Sequence, residues 1–141
     1  MSVLQPSRVA IVHDWLDKPG GAERVLQELL RCFPAADLFA VVDMLSEEDR
    51  HLIANKNVKT TFIQRLPGAR KHFRRYLPLM PLAIEQIDAS QFDTAVVAIG
   101  DSIEASVIIT GNLLDAGVSD LWAKSVSQEH ARILQRIGAR H

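Results

Sequence analysis

Residues 92–106 read FDTAVVAIGDSIEAS, and the fold turns on this stretch. Residues 95–99 are all apolar, with no alternation of polar and apolar side chains. That is the pattern of a strand covered on both faces, as a central parallel strand is. Gly100 and Asp101 end the run, and a helix-forming stretch follows. A buried strand that passes through a glycine into a helix is how open α/β sheets build ligand sites at their carboxyl edge.

The same grammar repeats outward in both directions. Toward the N-terminus, residues 8–13 form a first strand and DKPGG a turn. Residues 22–32 form a helix whose Val25, Leu26, Leu29, Leu30 and Phe33 recur at helical spacing, and it stops before Pro34. Residues 37–44 make a second strand. Ser46 is placed to cap a helical segment that opens with acids. Residues 57–64 read as a third strand. Residues 68–87 are helical at both ends but interrupted by Pro78 and Pro81. Toward the C-terminus, a helix closes at Gly117, residues 119–126 form a fifth strand, and a last helix runs from Ser127 to about Gly138.

Strands alternating with helices predict a three-layer α/β sandwich of the Rossmann-like kind, with one five-stranded parallel sheet. Right-handed crossovers favour the strand order 3-2-1-4-5. The 141 residues fit a single domain, with no linker, repeat or low-complexity tract. Hydrophobic residues are 48% and the net charge is -1, so neither nucleic acid nor membrane is expected as a partner on global charge. The single cysteine, Cys32, excludes an internal disulfide and suits a cytoplasmic setting. It is expected at the core or its boundary. The N-terminus lacks signal-peptide features.

With this strand order the winding reverses between strands one and four. The loops at 13–23 and 99–104 then face each other, each leading into a helix N-terminus that favours an anion. Gly20, Gly21, Gly100 and Asp101 are the candidate ligand-binding residues. Each has a plainer reading. Gly20 and Gly21 can serve only as a turn, and Asp101 with Glu104 has the spacing of a capping box. His13 and Asp14 could form an acid–base pair, but adjacent strand residues are expected to point to opposite faces. Arg65, Arg70, Lys71, His72, Arg74 and Arg75 form a basic stretch. It reads as a solvated face, or as a site for anionic headgroups or nucleic acid. No catalytic residue, metal site or cofactor is assigned.

Two family resemblances divide the chain. VAIVHDWL, GGAERVL, FPAADLFAVVD, TTFIQRLP and YLPLMPLAIEQID, within residues 8–92, resemble the N-terminal domain of family 4 glycosyltransferases of the GT-B fold. That resemblance implies sugar transfer from a nucleotide sugar, with Gly20 and Gly21 near the donor phosphates and a second domain for most donor contacts. VAIGD, EAS and EHARILQRIGA, within residues 92–141, are similar to the second half of the regulator-of-potassium-conductance (RCK) domain. This implies a nucleotide-binding Rossmann module that self-associates through its later strands and helices. It lacks here the half that carries the phosphate loop. Each half supplies what the other lacks, and they meet inside strand four. The expectation is an engineered chimera of two Rossmann-like fragments without enzymatic activity or an obligatory ligand. The alternatives are a weak nucleotide- or phosphate-binding module and an incomplete glycosyltransferase.

Overall fold

The computed structural model describes residues 8–99 and 102–140. Five parallel strands form one sheet in the order β3-β2-β1-β4-β5. They are β1 (Val9–Leu16), β2 (Asp37–Asp43), β3 (Val58–Thr60), β4 (Thr94–Val97) and β5 (Asp120–Ala123). The helices are α1 (Gly21–Cys32), α2 (Ala69–His72), α3 (Met80–Glu85), α4 (Ile103–Asp115) and α5 (Gln128–Ile137). The predicted fold class and strand order are those observed.

The sheet separates two apolar layers. On one side Val9, Ile11, Leu38 and Ala40 pack with Leu26 and Leu30 of α1 and Ile53. On the other, Ala10, Val12, Ala95, Val97 and Leu121 pack with Met80 and Ile84 of α3, Ile109 and Leu113 of α4, and Leu134 of α5. Each fully buried Leu or Ile contributes roughly 1.5–3 kcal/mol relative to exposure. The spacing of Leu26 and Leu30, one helical turn apart, keeps α1 on the sheet. Its Val25 stands on the exposed side instead, and Cys32 is exposed rather than at the core boundary, because it falls on the outer face of the last turn.

Helix ends follow local chemistry. The side chains of Ser46 and Ser127 accept hydrogen bonds from Asp49 N and His130 N, and Gly117 and Gly138 adopt φ of 98° and 108° beyond their helices. At α4 the cap is Ser102, whose Oγ accepts from Ala105 N at 3.2 Å. With Ser102 as the cap the third helical position is Ala105, so the capping box read into Asp101 and Glu104 is replaced by a single serine cap. The segment after Ser46 is a 3-10 turn, Glu47–Ile53, not an α-helix.

The largest departure is β3. An eight-residue strand is expected and three residues are formed. Beyond Thr60 the chain turns into a 3-10 segment, Phe62–Arg65, and side chains take over the ladder. Thr61 Oγ1 donates to Val41 O at 3.1 Å. Gln64 then accepts from Asp43 N at 2.7 Å and donates to Asp43 O at 3.0 Å. A primary amide carries the same donor and acceptor as a peptide unit, so Gln64 satisfies the end of β2 as a strand would. Residues 69–85 are broken as the prolines predict, into α2, a 3-10 piece Phe73–Leu79 holding Pro78, and α3. At the far edge Arg140 pairs in parallel with Trp122, the first rung of a sixth strand position. No described helix is long and apolar enough to cross a membrane.

Candidate functional site

The carboxyl ends of β1 and β5 and the N-terminus of α1 enclose a crevice of about 440 Å³. Its walls are His13, Trp15, Asp17, Lys18, Gly21, Ala22, Glu23 and Lys124. Strand order dictates this position: β4, paired to both β1 and β5, ends between them, and Lys124 N donates to Val97 O at 3.0 Å. The crevice thus lies where the winding of the sheet reverses, as expected of a doubly wound fold.

Of the four candidate residues, Gly21 lines the crevice and Gly20 borders a second depression behind the same loop, with Pro19, Arg24 and Leu52. Gly100 and Asp101 lie outside the described residues. A Cβ on Gly21 would meet nothing within 4 Å, so packing does not demand glycine there, and the backbone faces open space. At Gly20, the N-cap of α1, a Cβ would come 3.0 Å from Glu23 Oε2. Glu23 is buried and its carboxylate folds back over the helix start. A side-chain anion therefore already occupies part of the ground that a phosphate would take.

His13 and Asp14 overturn the expectation that they diverge. His13 Nδ1 stands 2.9 Å from Asp14 Oδ1, and both residues are buried. The cause is a slip in side-chain direction. Ala10 and Val12 face the α3–α5 layer, and Val9 and Ile11 the α1 layer. Trp15 then joins the first set and Leu16 the second, the reverse of strict alternation. Pairing with β2 stays in register across the slip, from His13↔Ala40 to Trp15↔Val42. The strand also runs three residues beyond the predicted end at His13. Because the two side chains belong to neighbouring residues, the approach is short without being an aligned hydrogen bond, and neither ring nitrogen of His13 has a hydrogen-bond partner among the described residues. A buried polar atom left so costs about 1–3 kcal/mol. That cost sits in the wall of the crevice.

The charges nearly balance. Lys18 and Lys124 oppose Asp17 and Glu23, and the N-terminus of α1 adds a partial positive charge. Trp15 forms an apolar wall, its ring centroid 4.1 Å from that of Phe73. The crevice thus sets two lysines and a helix start beside a planar aromatic wall. Among the described residues no group of three or more His, Cys, Asp and Glu could hold a metal.

The second buried histidine is built differently. His130 Nε2 lies 3.0 Å from Ser106 Oγ of α4, and its Nδ1 accepts from Val126 N at 3.2 Å. The acceptor role of Nδ1 leaves the proton on Nε2, so the ring is neutral and donates to the serine. Burial holds its pKa below the ordinary value of 6.5.

Residues 79–141 match the TrkA-N domain. The matched segment begins at Leu79 in the 3-10 piece, ahead of the seam expected near Phe92, and includes α3, β4, α4, β5 and α5. Among curated relatives, Ktr system potassium uptake protein A of Vibrio alginolyticus is 34% identical over 58 residues, 41% of this chain and 26% of that protein. Ktr system potassium uptake protein C of Bacillus subtilis (strain 168) has the same identity over the same lengths. The likeness of the C-terminal segment to RCK-type domains is thereby supported. It spans about a quarter of either relative.

Proposed function

We propose that the chain is a non-catalytic, Rossmann-like ligand-binding module whose switch-point crevice takes the phosphate of a nucleotide with millimolar affinity. The observation that carries this reading is His13, buried in the crevice wall with no hydrogen-bond partner among the described residues, beside Lys18, Lys124 and the start of α1. A phosphate oxygen would satisfy it. The TrkA-N match and the two potassium uptake relatives support a regulatory role. Titration with inorganic phosphate and then ATP, followed by NMR, tests it. Shifts at Gly21, Ala22 and Lys124 are expected; none at about 5 mM ligand rejects the proposal. Glu23→Gln removes the competing carboxylate, and affinity rises about tenfold.

A second reading concerns origin. It rests on the resemblance of residues 8–92 to family 4 glycosyltransferases and would make the chain a recombination of two Rossmann-like fragments; the TrkA-N match supports the C-terminal fragment alone, and it begins at Leu79, ahead of the expected seam. On this reading the crevice was never selected for turnover. Sugar transfer from a nucleotide sugar by the isolated chain would refute it. Self-association through β5, α4 and α5 is a further part of the proposal. Sedimentation at about 10–500 μM decides it, a constant monomer mass counting against.

A further inference from the structure

The net charge of -1 hides an uneven distribution. Residues 51–84 hold seven of the chain's 16 lysines and arginines and none of its 17 acids. Six of the seven are exposed: Lys59, and the five that cluster along the chain, Arg65, Arg70, Lys71, Arg74 and Arg75. None of the five forms an ion pair among the described residues, whereas Arg8, Arg31, Arg50, Lys59 and Arg140 all do. Lys71, His72, Phe73, Arg74 and Arg75 surround a depression of about 290 Å³, the scale of a phosphate headgroup.

One exposed apolar side chain follows these cations in the same segment. Leu77 and Leu79 pack in part against the core, but Leu82, on α3 which packs against the 73–79 piece, is 54% exposed, more than any other large apolar residue described. A solvated face has no use for Leu82, and a nucleic-acid backbone would leave it in water. A lipid bilayer answers both, drawing the cations to anionic headgroups and Leu82 to the acyl boundary.

We propose that this segment, from Arg65 to Leu82, is a contact surface for anionic lipid bilayers. The short pieces here suit it. Pro78 and Pro81 prevent one continuous helix, and the broken chain exposes the cations and, beyond them, Leu82. Trp15 against Phe73 couples the surface to the crevice wall.

Flotation of the whole chain with vesicles tests the proposal. Vesicles with about 30% phosphatidylserine are expected to carry the protein, pure phosphatidylcholine vesicles are not, and about 0.5 M salt releases it. Each exposed cation is worth about fivefold in binding near such a surface. Arg70→Glu with Arg74→Glu should therefore reduce binding at least 25-fold, with an unchanged far-UV spectrum because both positions are exposed. Leu82→Ser should weaken vesicle binding several-fold while leaving binding to a double-stranded oligonucleotide unchanged. Glycerophosphate at about 5 mM, a soluble headgroup, should not displace the protein. The proposal is overturned by absence of flotation, by equal binding to both vesicle types, by displacement with glycerophosphate, or by tighter binding to the oligonucleotide than to the vesicles.

Discussion

His13 and His130 are each 1% exposed, yet they are opposite constructions. His130 has a partner at both ring nitrogens, one from α4 and one from the loop before its own helix. His13 has a carboxylate near one nitrogen and, among the described residues, no hydrogen bond at either. Burial alone does not distinguish a structural histidine from a site histidine; the accounting of its two nitrogens does. The first locks α5 to α4. The second leaves a capacity for interaction in the crevice wall.

Removing each histidine separates the two roles most sharply. His130→Ala should lower stability by about 2–4 kcal/mol in urea unfolding, combining a cavity with an unpaired Ser106 hydroxyl and Val126 N–H. His13→Ala should lower it by less than about 1.5 kcal/mol, since lost packing is offset by relief of an unsatisfied group, while abolishing the phosphate response. Equal losses would break the comparison. Gln64→Ala comes next, about 2 kcal/mol, because the N–H and C=O of Asp43 lose their partner together. Gly138→Ala should cost about 1 kcal/mol, from forcing φ of 108° on a residue with a Cβ.

The pH dependence sharpens the same contrast. The folded state holds His130 neutral and its pKa below 6.5. The unfolded chain then takes up a proton first as pH falls. Stability attributable to His130 is complete above about pH 6.5 and is lost as pH falls from there toward the lowered folded value. Urea midpoints measured from pH 7.5 to 5 should decline, and His130→Asn should flatten that decline. An unchanged slope in the variant would assign the effect elsewhere.

The legible parts of the fold were those written in local chemistry. Apolar runs located β1, β2, β4 and β5. Ser46, Ser127, Gly117 and Gly138 marked ends because caps depend on neighbours within one turn. What escaped depends on distant partners. TTFIQ has the composition of a strand, and only the meeting of Thr61 with Val41 and of Gln64 with Asp43 shows why it turns. The crevice was legible as a place, from strand order. Its contents were less so: Lys124 comes from the far side of β4, and the His13–Asp14 contact requires a break in alternation that the residues themselves do not announce. Glu23 offered a signal, an acid three residues past the helix cap Gly20, where a side chain can reach back.

Gln64 carries a consequence for the chemical ageing of this protein. Its amide stands in for a peptide group at the end of β2, with Asp43 also held by Arg50 Nη1 at 2.7 Å and bonded to Leu45 N. Hydrolysis of that one amide to a carboxylate would turn the donor facing the Asp43 carbonyl into a negatively charged acceptor, beside a second carboxylate. A change of one mass unit, invisible in composition, would then undo the edge of the sheet from a side chain outward.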